Sequence, residues 1–191
     1  MKEYIKRSFS NFQITEENII KGIPIVFEKP TDICGLFEET ISRDAIDLSL
    51  FNNVDLFYNH NLNTKLIARA KNGKLTFEIK EDGVHMTAYV NRERSDVNDL
   101  YLAIKDGDIE GMSFMFRVSD EEWSDLETNY PKRRITKIES IREVSIVNEP
   151  AYKETSVSTR SINEGVLLDA KNKSKENINI ELLKAKYLFK I

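Results

Sequence analysis

The chain has 191 residues, 40% apolar and 31% charged, with a net charge of −4, which is ordinary for a globular domain. Its single cysteine excludes a disulfide framework and suits a reducing compartment, and with only two histidines beside it the four ligands of an ordinary zinc site are missing. An acidic chain also lacks the basic footprint of a nucleic-acid binder, and with no apolar run much longer than "IPIVF" neither a secretory signal nor a membrane span is expected.

Strand-like runs separated by turn signals dominate from Ile19 to Tyr152: "IIKGIPIVF", "VDLFYNH", "KLIARA", "KLTFEIK", "GVHMTAYV", "GMSFMFRV", "RRITKIESI" and "EVSIV". Such spacing suits a closed barrel or a sandwich, a mainly β fold with surrounding helices. A short helix is expected over "RDAIDLSLF". The dipeptides Asn72-Gly73 and Asp82-Gly83 accept positive φ and favour tight hairpins, so residues 66–90 are read as a meander. In "RSDVNDLYLAIKDGD", Val97, Leu100, Tyr101 and Ile104 recur at helical spacing, with Ser95 as N-cap and Gly107 beyond the end. This helix leads straight into the run containing Ser113. After Val157 the composition turns to Ser, Asn, Lys and Glu, which reads as a linker. "NIELLKAKYLFKI" then closes the chain as an amphipathic helix with Leu183, Tyr187 and Ile191 on one side. The expected division is therefore a domain over 1–158 and a tail over 159–191. Residues 161–191 hold six lysines against four acids, so the tail is mildly basic and the body acidic.

In "IEGMSFMFRV", Met112, Phe114, Phe116 and Val118 alternate onto one apolar face and leave the small hydroxyl of Ser113 on the other. A serine becomes a nucleophile only beside a base, most often a histidine oriented by a third group. His60 ends "VDLFYNH", where alternation places it on the face of Val54, Leu56 and Tyr58, at a strand end. His85 alternates with Thr87 and Tyr89 and reads as a surface histidine. For the third group, Glu143 shares a face with Ile141, Ser145 and Val147, where a carboxylate needs a partner; Asp55, Asp108 and Glu139 are alternatives by spacing. Residue pattern alone leaves Ser113 a filler on a strand by default. The same plain readings make Trp123 the anchor of a polar loop, Lys132, Arg133 and Arg134 a solvated cluster, and Cys34 a small packing residue.

Four blocks, taken together and in order, resemble a known family. They are "IIKGIPIVFEKPTDICGLFEETISRDAID", "LFYNHN", "LYLAIKDGDIEGMSFMF" and "EVSIVNEPAYKETSV". Over most of residues 15–158 the chain is similar to the prohead (capsid maturation) serine proteases of tailed phages of the HK97 type, which share the fold of herpesvirus assemblin. The resemblance implies a closed β-barrel. It places the family's nucleophile on Ser113 within Gly-x-Ser-x-x-Phe (Gly111, Ser113, Phe116) and its base on His60 within Asn59-His60. No histidine follows Ser113, so an acid must stand third, and Glu143 has the matching order and separation; Met115 stands where many members carry Gly. The oxyanion donors are not placed by the resemblance; the loop near Pro150 and Ala151 and the Arg142 side chain are the candidates. No cofactor or metal is implied. The implied activity is an endopeptidase working through an acyl-enzyme inside the immature procapsid, in the bacterial host cytoplasm. Its implied substrates are the scaffold, the scaffold-like part of the major capsid protein and often its own tail. Self-association fits such a setting, whereas nucleic acid and membranes are not expected partners. The tail would anchor the enzyme and be removed, or would simply dock on the barrel. The alternative is a non-catalytic assembly or scaffold component of the same fold, against which the retained Ser113 and His60 speak.

Overall fold

A computed structural model describes residues 4–10, 12–63, 66–148 and 157–188. In chain order the elements are β1 (Ile5–Ser10), β2 (Phe12–Glu16), β3 (Ile19–Val26), β4 (Thr31–Ile33), β5 (Phe37–Ile41), β6 (Asp55–Tyr58), β7 (Ala68–Arg69), β8 (Leu75–Ile79), β9 (Gly83–Tyr89), α1 (Ser95–Lys105), β10 (Gly111–Ser124), β11 (Lys132–Val147) and α2 (Val157–Leu188). One sheet runs β1-β10-β11-β5-β4, with β6 pairing β11 and β7; the other runs β2-β3-β9-β8. The class is therefore mixed α and β, mostly strands with a C-terminal helix. Closure of the expected barrel is not found in the strand pairing of the described residues. The sheets face a shared core, with β3 lying against β1 and β10.

That core is built by the alternation read from sequence. Met112, Phe114, Phe116 and Val118 of β10 are buried in it, together with Ile20, Val84, Met86 and Leu56. Each such side chain contributes about 1.5–3 kcal/mol when removed from water. Helix α1 buries Val97, Leu100, Tyr101 and Ile104, the four residues of its apolar stripe. Its cap differs from expectation: Arg94 stands at the N-cap with no side-chain capping bond to the helix amides, and Ser95 is already helical. Arg94 C=O accepts from the amides of Val97 and Asn98 at 3.2 and 2.9 Å, so the first turn closes on backbone alone.

Several expectations are corrected. Two unpredicted strands, β1 and β2, precede the run read as the opening one; in β1, Arg7 interrupts the alternation of Ile5 and Phe9. The helix expected over "RDAIDLSLF" is two 3-10 turns, Arg43–Ala45 and Leu48–Phe51. Ile46 and Asp47 are extended between them, and Asp47 caps the second turn by accepting from the Ser49 amide at 2.8 Å. Asp82-Gly83 does close the β8–β9 hairpin, yet Asn72-Gly73 does not make one: β7 pairs with β6, and left-handed Gly73 (φ 72°) carries the chain into the second sheet. The stretch read as a linker after Val157 is the start of α2, a continuous helix. Arg160 pairs with Glu164 at i,i+4, and Asn163 and Ala170 are buried against the body, so docking adds to local propensity. Of the expected C-terminal stripe, Ile191 and the side chains of Leu183 and Tyr187 lie outside the described residues.

Strand β11 also departs from strict alternation. Ile135 and Ile138 both enter the core, as do Ile141 and Val144, so the strand is bulged between the members of each pair. The β10–β11 register shifts accordingly, with Phe116 opposite Ile141 but Met115 opposite Glu143. Glu143 is therefore turned away from the face of Ile141 on which alternation had placed it. Two further readings change at the far end of this hairpin. Trp123 lies on β10 with its ring 5.0 Å from that of Phe37, and Arg133 is 2% exposed rather than solvated.

Candidate active site

Ser113 sits near the start of β10, between β1 and β11, with Ser8 and Ser145 opposite it in register. Directly opposed residues share a face, so these three serines point away from the core that receives Met112 and Phe114. The bulge at Ile141–Glu143 brings Glu143 onto this same outer face, two residues before Ser145. Gly111 opens the strand opposite Ser10 and Val147, and half-buried Met115 stands across from Glu143.

His60 reaches the face by a different route. Strand β6 runs parallel to β11 and ends at Tyr58. The chain then passes through two left-handed residues, Asn59 (φ 50°) and His60 (φ 56°). Alternation had placed His60 with Leu56; the turn swings it instead over β11. Backbone of this kind costs roughly 1–2 kcal/mol per residue, less for Asn. Three contacts hold it: Asn59 N–H donates to Ile146 C=O at 2.8 Å, Asn148 N–H donates to Asn59 Oδ1 at 3.2 Å, and Tyr58 O–H donates to Asn148 Oδ1.

The result is a chain of hydrogen bonds. His60 Nδ1 lies 2.6 Å from Glu143 Oε1, and His60 Nε2 lies 2.8 Å from Ser113 Oγ. An ionised carboxylate has no proton to give, so Nδ1 carries the ring hydrogen and Nε2 presents its lone pair to the serine. Glu143 and Ser113 are fully buried, while the His60 side chain keeps 13% exposure. A lone buried carboxylate would be costly; here Oε1 accepts from His60 and Oε2 accepts from Ser145 O–H at 2.5 Å. Ser145 Oγ in turn accepts the His60 backbone N–H at 3.1 Å. A second acceptor competes for the Ser113 proton, since Oγ also lies 2.9 Å from Arg7 C=O. Such an array can deprotonate a hydroxyl in place and carry the resulting imidazolium on a buried anion.

The other candidates lie elsewhere. Asp55 is paired with Arg69 at 2.8 and 3.0 Å, and Asp108 and Glu139 are exposed. His85 pairs with Asp82 at 2.8 Å, a bond that holds the Asp82 carboxyl below its ordinary range. Cys34 is half-buried, with Asn163 Nδ2 3.9 Å from its Sγ. Arg142 is exposed, and Pro150 and Ala151 lie outside the described residues. Sequence reasoning passed over two contributors, Ser145 and the Arg7 carbonyl. Ser145 had a signal in its alternation with Glu143; a backbone carbonyl has none. Among the described residues no group of His, Cys, Asp or Glu could hold a metal ion, and no helix is long and apolar enough to cross a membrane.

A family model described as caudovirus prohead serine protease matches residues 5–166, from β1 into α2, and so takes in Ser113, His60 and Glu143. No curated protein and no solved structure matches the chain.

Proposed function

The chain belongs to the caudovirus prohead serine protease family, and from that premise we propose that it is an endopeptidase of procapsid maturation with Ser113 as nucleophile, His60 as general base and Glu143 as the group that orients His60. The observation carrying this reading is the unbroken run from Glu143 through Nδ1 and Nε2 of His60 to Ser113 Oγ, with contacts of 2.6 and 2.8 Å. Nε2 takes the hydroxyl proton as Oγ attacks a peptide carbonyl, and the imidazolium is held against Glu143. The proton then passes to the leaving amine, and water, activated by the same nitrogen, hydrolyses the acyl-enzyme. Proton transfer of this kind is worth roughly 10²–10⁴ in rate. Formation of the Oγ–carbon bond requires Oγ to give up its contact with Arg7 C=O, because an ester oxygen has no proton to donate.

The proposal extends to the substrates: the scaffold or the scaffold-like region of the major capsid protein, cut inside the procapsid within the host cell, and the enzyme's own tail. An assemblin-like closed barrel over 1–158 belongs to the same reading. Helix α2 bears on self-cleavage. A peptidase acts on extended backbone, so a cut within Val157–Leu188 needs local unwinding first.

The test is the intact mass of this chain and of the phage's major capsid protein, co-expressed with the native sequence or with Ser113→Ala. Shortening of either protein only with the native chain is the expected result. Full-length masses in both, with procapsids assembled, would overturn the enzyme reading and leave a scaffold component.

A further inference from the structure

We propose that Ser145 is a positioning residue, whose single hydroxyl locks the acid and the base to each other; the inference rests on the roles of Glu143 and His60 given above. Glu143 presents two oxygens, and only a carboxylate held at one rotation about its last bond points Oε1 at the imidazole Nδ1–H. Ser145 O–H donates to Oε2 at 2.5 Å and fixes that rotation. The same Oγ accepts the backbone N–H of His60 at 3.1 Å, at the second of the two left-handed residues, so it also fixes where the imidazole starts. One group thus spans both partners of the 2.6 Å His60–Glu143 bond.

Among the described residues, Ser145 is the partner of both Glu143 Oε2 and the His60 amide. Ser145 is fully buried in the central strand β11, with Ser113 opposite on β10 and Phe57 opposite on β6. Removal of the hydroxyl therefore leaves a buried carboxylate oxygen without its donor and the His60 amide without its acceptor, and buried polar groups left this way are costly. A serine present only to fill space would carry neither bond.

The full chain is treated with a fluorophosphonate probe, whose labelling rate reports attack by Ser113 without a known substrate. The downfield proton resonance of the His60 Nδ1–H···Glu143 bond is followed in parallel. Ser145→Ala is expected to lower the labelling rate by roughly ten- to a hundredfold, the range seen when an orienting outer partner is lost, and to shift or broaden that resonance while the folded near-ultraviolet dichroism persists. Ser145→Thr, which keeps the hydroxyl, is expected to restore both. Ser145→Cys, close in size with a weaker donor, replaces the alanine variant if that one does not fold. Wild-type labelling and an unmoved resonance in the alanine or cysteine variant would overturn the proposal, as would a threonine variant no better than alanine. Absence of labelling in the native chain, or equal labelling of Ser113→Ala, would strike the nucleophile assignment instead, and the resonance would still decide the role of Ser145.

Discussion

Asn59 shows how one residue's backbone governs a site it does not enter. Its φ of 50° is tolerable for asparagine, and its side chain accepts the Asn148 amide at 3.2 Å. A β-branched side chain resists that conformation and has no acceptor to offer. Asn59→Val is therefore expected to cost about 2–3 kcal/mol in urea unfolding, strain and lost hydrogen bond together. It should also slow fluorophosphonate labelling at least tenfold, because the turn that delivers His60 relaxes toward extended backbone. Asn59→Gly, which accepts positive φ, should lose only the hydrogen bond and keep more of the labelling rate. Ser113 itself carries a competition that no side-chain inventory reveals, its one proton lying between His60 Nε2 at 2.8 Å and Arg7 C=O at 2.9 Å.

Elements place these residues through departures from regularity. A regular β11 would leave Glu143 on the core face with Ile141; the bulge turns it outward while Val144 and Ile146 still enter the core. Strand β6, parallel to β11, stops two residues before His60, which frees the chain to curl over the sheet. In the second sheet the constraint is close approach. A Cβ on Gly83 would lie 2.1 Å from the Ile25 carbonyl oxygen, so the glycine is needed for contact with β3 rather than for a positive φ. Gly83→Ala must push β3 and β9 apart, and a loss of about 1–3 kcal/mol is expected by chemical denaturation. Labelling of the remaining folded protein should be unchanged, since neither strand contributes to the Ser113 face.

Across the whole molecule, a buried charge cluster joins elements far apart in sequence. Arg7 of β1 holds both oxygens of Glu39 of β5, at 2.5 and 2.8 Å. Arg133 of β11 reaches the same carboxylate at 2.8 Å and pairs with Glu121 of β10. Asn163 of α2 accepts from Arg7 at 3.4 Å, which ties the C-terminal helix to the cluster. Burial alone would push the Glu39 carboxyl up, but the charges of Arg7 and Arg133 prevail and hold it below the ordinary value. A carboxyl depressed in the folded state adds stability above its unfolded value, and that stability is lost as pH falls through the folded one. Glu39→Gln, which leaves the buried Arg7 guanidinium without its anion and Arg133 with Glu121 alone, is expected to destabilise the chain by about 3–5 kcal/mol at neutral pH. The native protein should lose stability as pH falls below about 4.3, the ordinary glutamate value, and the variant should show a shallower decline there; denaturant melts at stepped pH measure both.

Local sequence determined most of what depends on local periodicity. The α1 stripe, the apolar face of β10 and most strand runs were legible because a helix or strand that buries one face must repeat its apolar residues at 3.6 or 2 positions. Ser113, His60 and Glu143 were legible as candidates, and Glu143 shares its face with Ser145 as alternation gave, but its pairing with Ile141 and the face given to His60 were not. A left-handed turn and a β-bulge reset the alternation, and both are stabilised by partners from other strands. Arg133 read as solvated because its partners, Glu39 and Glu121, are 94 and 12 residues away, and a charge is buried only once tertiary structure supplies its counter-charge. The contribution of β1 was hidden more deeply still. It reaches the site through the carbonyl of Arg7, a group that every residue carries, and only the fold decides which one meets the serine.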